Sequence, residues 1–127
     1  MKRELTWRCG FYLIALIFLG CTAAMAAETD KASQAVDVRL SEYAIDMPHT
    51  LPPGPTTFTL HNVGRKSHRF KLQGPGIEAD LMSAAVDPGH TGSLEVTLQP
   101  GEYKVFCPIG SHAVKGMTMT LVVAAKP

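Results

Sequence analysis

The chain is predicted to fold as an all-β sandwich, and three observations predict it. Apolar residues recur at every second position rather than at helical spacing. Clusters of Pro, Gly and Asn separate these runs. Once an N-terminal segment is set aside, about 100 residues remain, enough for two packed sheets around a core. The full length of 127 residues allows one domain.

The alternation starts at Ala35, where Val36, Val38 and Leu40 interleave with Asp37, Arg39 and Ser41. Phe58 and Leu60 alternate with threonines, and His68, Phe70 and Leu72 with Ser67, Arg69 and Lys71. Leu94, Val96 and Leu98 form the next run. Tyr103, Val105 and Cys107 share one face of another, as do Met117, Met119, Leu121 and Val123 of the last. Turns are expected at Pro53-Gly54-Pro55, Asn62-Val63-Gly64, Gly74-Pro75-Gly76, Pro88-Gly89 and Pro100-Gly101. Ile77 to Ala85 breaks the pattern and is expected to form one short helix or an irregular flap. Residues 27–34 read as a mobile lead-in, and residues 35–125 as the domain.

The N-terminus reads as an address. Lys2, Arg3 and Arg8 precede the apolar run Phe11 to Leu19, and Ala24-Met25-Ala26 supplies small residues before Glu28-Thr29-Asp30. This order matches a signal peptide over residues 1–26, cleaved near Ala26 or Ala27. An uncleaved membrane anchor and lipid attachment at Cys21 are the alternatives, and they alone would bring the domain to a membrane. All three export it, to the periplasm or an equivalent compartment.

Charge is nearly balanced, with twelve Lys and Arg against eleven Asp and Glu. A near-neutral domain gives no basis for a nucleic-acid partner, and a monomer is expected. Of three cysteines, Cys9 and Cys21 lie in the leader, so the mature domain keeps Cys107 alone. A single thiol in an oxidising compartment is buried and inert, reactive, or bound to metal.

An inward Cys or His taken alone fits the buried, inert reading, but strand parity together with the loop spacing favours metal. Parity turns His68 inward with Phe70 and Leu72, turns Cys107 inward with Tyr103 and Val105, and starts the inward series of the last strand at Met117. His112 stands on the connection between them, in a Cys-x4-His-x4-Met loop. A tight connection brings its three ligand-type side chains together, and His68 completes the set from another strand. Two imidazoles and a thiolate in a plane with a weak axial thioether are the donors of a blue-copper electron-transfer site. Thiolate and thioether favour Cu(I), imidazole suits both oxidation states, and a rigid sandwich denies Cu(II) its tetragonal shell. Zinc fits less well, since structural zinc takes four strong ligands.

Two segments carry a family resemblance. Pro53-Gly54-Pro55-Thr56-Thr57-Phe58 followed by Asn62 to Phe70 resembles the approach to the first copper histidine of the cupredoxins, the family of plastocyanin and azurin. Pro100 to Pro108, with Gly110-Ser111-His112 and Gly116-Met117, resembles their ligand loop. The resemblance spans about Val36 to Val123. It implies a Greek-key sandwich with copper near one end and electrons leaving through the edge of His112. Two positions depart from it. Met119 stands where many relatives have Gly, and Arg69 where several have an Asn that braces the ligand loop. Asn62 is expected to take over part of that bracing, and such outer hydrogen bonds tune the reduction potential.

Other residues have plainer readings. His49, His61 and His90 are expected at the surface. Met47 and Met82 are expected in packing, and so is Met119, since a full pleat of roughly 7 Å separates it from Met117. Pro108, Ile109, Ala113 and Val114 surround His112 with apolar groups, either tucked into the core or exposed as a docking patch for redox proteins. The expected function is single-electron transfer between exported redox partners, with a copper chaperone or copper buffer as the alternative. An enzyme is not expected, because copper oxidases and nitrite reductases need further domains and copper sites, and a binuclear copper loop needs two cysteines.

Overall fold

Alternating burial organises every long strand of the computed structural model, which describes residues 32–77 and 81–125. The expected leader lies outside these residues, and so does most of the expected lead-in. Among the described residues, eight strands form two four-stranded sheets. The first holds β1 (Gln34–Ser41), β2 (Ala44–Asp46), β4 (Gly54–Asn62) and β6 (Thr91–Leu98), in the order β2-β1-β4-β6. The second holds β3 (Thr50–Leu51), β5 (Lys71–Gln73), β7 (Gly101–Phe106) and β8 (Thr118–Val123), in the order β3-β8-β7-β5. The chain changes sheet between β2 and β3 and again between β3 and β4. It crosses at every later connection up to β7 as well, and β1 lies parallel to β4 and β3 parallel to β8.

The core lies between the sheets. Val36, Val38, Leu40, Phe58, Leu60, Leu94 and Leu98 enter it from one side, and Leu72, Tyr103, Val105, Leu121 and Val123 from the other. Phe58 and Phe70 touch with ring centroids 5.1 Å apart. Each such side chain contributes roughly 1.5–3 kcal/mol on burial. The inward apolar set holds each long strand in register, because a one-residue slip would turn it to water.

Several boundaries differ from expectation. β1 opens at Gln34, whose side-chain amide donates to Pro52 O and to Thr56 Oγ1, both at 2.8 Å. β4 opens at Gly54, inside the expected Pro-Gly-Pro turn, with the φ of 130° that glycine tolerates. β2 and β3 were not legible, since three and two residues are too few to display a period. Val96 is only half buried.

The segment from His68 to Leu72 alternates as expected but is a regular strand only from Lys71. Its partner further back is the segment Leu81–Val86. His68 and Val86 exchange both backbone hydrogen bonds, at 3.1 and 2.8 Å, and Ser83 N–H donates to Phe70 O at 2.9 Å. The expected helix or flap is therefore a flap in its described part, pinned by Val86 in the core and by the buried Ser83. Residues 78–80 lie outside the description.

Tyr103 closes the opposite end of the second sheet. Its hydroxyl donates to Pro75 O at 2.7 Å and accepts from Gln99 N–H at 2.9 Å. Gly74 lies against the ring, where an added Cβ would stand 2.4 Å from Cδ1. Tyr103→Phe strands both backbone groups and should cost about 1–3 kcal/mol. Denaturant unfolding checks the loss, and the metal affinity of the folded variant should stay at the wild-type value.

Candidate metal centre

Main-chain hydrogen bonds set the geometry of the connection between β7 and β8. The two strands pair as far as Phe106 and Thr118, and Cys107 N–H extends the ladder by donating to Met117 O at 3.1 Å. Met117 N–H in turn donates to His112 O at 3.0 Å. Between them, bonds from His112 N–H to Ile109 O and from Lys115 N–H to Ser111 O, each 3.0 Å, coil the loop. It leaves this coil through Gly116, whose φ of 111° suits a residue without Cβ. The main chain thus ties three of the four expected ligands to one another.

His68 arrives separately, on the turn that follows β4. Asn62 shapes that turn: its Nδ2 donates to Lys66 O at 2.7 Å and to Val86 O at 2.8 Å, while its Oδ1 accepts from Gly64 N–H at 2.9 Å. Asn62 therefore braces the loop leading to His68 and the flap, rather than the loop carrying Cys107 and His112. Its buried side chain is held by three backbone partners, as a buried amide requires.

The structure brings His68, Cys107 and His112 together. One ligand atom from each lies within 4.8 Å of the others, and all three residues are buried. Cys107 Sγ is 3.6 Å from His112 Nδ1, and the imidazole centroids are 5.2 Å apart. Met117 is fully buried at the head of β8, tied through its main chain to both Cys107 and His112. The sulfur of Cys107 accepts a hydrogen bond from Arg69 N–H at 3.4 Å. That donor is main chain, so the Arg in place of Asn leaves this bond intact. The Arg69 guanidinium turns outward to Met82 Sδ.

The residues fit a soft or borderline metal. Neither ring nitrogen of His68 has a hydrogen-bond partner among the described residues, although the ring is fully buried. An unpartnered buried polar group is costly, and a coordinate bond resolves it. Burial lowers the pKa of His68 below its ordinary value, and repulsion from His112 adds to this, while Glu42 opposes it in part. A neutral imidazole is the form that binds metal. Two imidazoles, one thiol and a buried thioether are together the donor set of a copper site.

Two residues that frame the site were not marked in the sequence. Glu42 Oε1 lies 3.7 Å from His68 Nε2, and it accepts hydrogen bonds from Arg65 and Lys66 that, first among several influences, keep its pKa low. Tyr43 takes a φ of 63° and sets its ring edge-on to His112, centroids 5.5 Å apart. Lys115 Nζ lies 4.9 Å over that ring and donates to its hydroxyl at 3.2 Å. A non-glycine residue at positive φ leaves no local mark when side chains far along the chain hold it there.

The remaining candidates lie elsewhere. His49 and His90 are exposed, and His61 is half exposed with its Nε2 3.2 Å from Asp37. Met47 is buried in the core and Met119 packs against it from a half-buried position. Met82 lies on the flap.

A family model described as the cupredoxin-like domain matches residues 10–123. The chain belongs to that family. Among curated proteins it is similar to the iron uptake system component EfeO of Yersinia pestis, 29% identical over 96 residues, which is 71% of this chain and 25% of that protein. The Yersinia pseudotuberculosis EfeO is 30% identical over 70 residues, 55% of this chain and 18% of its own length. The cupredoxin chain thus spans about a quarter or less of these relatives. Among solved structures, dithionite-reduced auracyanin from Roseiflexus castenholzii aligns over 73% of this chain and 98% of its own at 24% identity, TM-score 0.58. Auracyanin A of Chloroflexus aurantiacus, described as a "blue" copper protein, covers 73% and 100% at 18% identity, TM-score 0.60. A multicopper oxidase aligns with 45% of its own chain at 13% identity, TM-score 0.56. These likenesses establish the sandwich fold of this cupredoxin.

A pH dependence follows from His68. Its folded pKa is below the ordinary value of 6.5, so the unfolded chain takes up the proton first as pH falls. The contribution is complete above about 6.5 and is lost as pH drops through that value toward the lower folded pKa. Denaturant unfolding of the metal-free protein should show stability falling over this window. His68→Gln should flatten the slope.

Proposed function

We propose that this cupredoxin is an exported carrier of single electrons, using one copper ion held by His68, Cys107, His112 and Met117. The observation that carries the reading is the convergence of three buried donor atoms within 4.8 Å at one end of a packed sandwich. When bound, copper supplies a one-electron couple between Cu(I) and Cu(II). The protein's part is to keep the donors still. Cys107 and His112 are locked by the loop hydrogen bonds, and His68 by its pairing with Val86. Donors that move little between oxidation states keep reorganisation small, which favours fast exchange. The name auracyanin A carries as a "blue" copper protein supports the same reading, and the leader motif with a single mature thiol supports export.

His112 is the ligand nearest the surface, 9% exposed, and it is the exit we assign to the electron. Val114 beside it is 90% exposed, while Ile109 is half buried against the core. We take His112, Ile109 and Val114 as the docking patch for redox partner proteins, in small contacts that permit rapid turnover. A second reading is copper handling, as a chaperone or buffer, and the similarity to EfeO favours a role in metal uptake. A catalytic role has less support: the fold shared with a multicopper oxidase covers under half of that chain.

Adding Cu(II) to the purified domain should give intense thiolate-to-copper absorption in the visible, abolished in Cys107→Ser. A colourless product ends the copper-carrier reading and leaves the fold standing. Metal loss to a chelator within minutes would favour the handling role instead. Charged substitutions at Ile109 and Val114 should slow electron exchange with a partner and leave the spectrum unchanged. Equal exchange rates in both would remove the patch.

A further inference from the structure

We propose that Glu42 is a positioning residue for the metal centre: its carboxylate faces the Nε2–H of His68 and so reserves Nδ1 for the ion. The inference rests on the metal-site reading above and adds to it the means by which His68 is aimed.

Glu42 is held in place independently of any metal. Its Oε1 accepts Arg65 N–H at 2.5 Å and Lys66 N–H at 2.8 Å, which clips the carboxylate to the turn just before His68. Gly64 gives it room, since a Cβ there would stand 2.6 Å from the same oxygen. From this fixed point Oε1 is 3.7 Å from Nε2 of a ring that is fully buried and has no other polar partner at that atom among the described residues. The carboxylate is not among the donor atoms that gather within 4.8 Å of one another. It is therefore not one of the donors grouped with Cys107 and His112, and we place it behind the ring, at the Nε2 it faces, rather than as a further ligand.

At 3.7 Å the contact is electrostatic and longer than a formed hydrogen bond. That is sufficient to choose the tautomer. A proton on Nε2 points at an anionic oxygen, whereas a proton on Nδ1 would set the Nε2 lone pair against it and block the donor the ion needs. Carboxylates behind ligand histidines act in this way, fixing the ring and raising its basicity. The Glu42 side chain is 31% exposed, so solvent screens part of its charge.

The test begins with the metal-free protein, where nitrogen NMR of the imidazole should place the His68 proton on Nε2. Glu42→Ala should shift it toward Nδ1 and weaken Cu(I) binding, measured by chelator competition, by about 10–100-fold. Glu42→Gln keeps an oxygen for the Arg65 and Lys66 amides but lacks the charge, and it should bind less tightly than wild type and more tightly than Glu42→Ala. A His68 proton on Nδ1 in the wild type overturns the proposal, as does wild-type Cu(I) affinity in both variants. The tautomer is read without metal, so its failure is separable from failure of the copper reading, which the Cu(II) spectrum reports.

Discussion

Two hydrogen bonds, from Cys107 N–H to Met117 O and from Met117 N–H to His112 O, are the constraint on which the metal centre depends. They extend the β7–β8 ladder one step past Phe106 and fold the loop back on its own start. Cys107, His112 and Met117 are thereby tied to one another through the main chain, and the Cys107 thiol comes to lie 3.6 Å from the His112 imidazole, before any metal is considered. The sheet supplies the rigidity. Val105 and Leu121 are fully buried on the same two strands, so moving the loop would disturb the core.

His68 is held by different means. It enters from a turn between sheets, where no long ladder can fix it, and the structure uses side chains in its place. Asn62 shapes the turn from within, Glu42 clips it from the β1–β2 corner, and Val86 of the flap pairs with it. Each partner comes from a distant part of the chain. The loop that holds three donors is thus built locally, while the fourth is aimed by long-range contacts.

Burial connects these arrangements to function. Removing polar donors from water costs free energy unless they find partners. The Cys107 sulfur accepts one main-chain hydrogen bond, and the His68 ring nitrogens have no hydrogen-bond partner among the described residues. The unmet demand is what a coordinated ion satisfies. The surface near His112 is assembled with similar economy: Tyr43 covers one side of the ring, Lys115 covers Tyr43, and Val114 stands clear. His112 is the least buried of the four expected donors, at 9% exposure.

Strand parity alone was enough to orient His68, Cys107 and Met117 inward, because a period of two leaves only two faces and the core claims one. The Cys-x4-His-x4-Met spacing was enough to group the loop donors, since a short connection between paired strands cannot scatter them. Those local rules determined the fold class, the core faces and the candidate ligands. They were silent on β2 and β3 and on the irregular path from His68 to Phe70, and they left open whether Ile77 to Ala85 forms a helix or a flap. Only the tertiary structure decided that Asn62 serves the His68 turn, that Arg69 bonds the sulfur through its main chain, and that Glu42 and Tyr43 frame the two imidazoles. The physical reason is distance along the chain. Glu42 and Asn62 reach residues more than twenty positions away, and periodicity carries no information about contacts that only the closed sandwich creates.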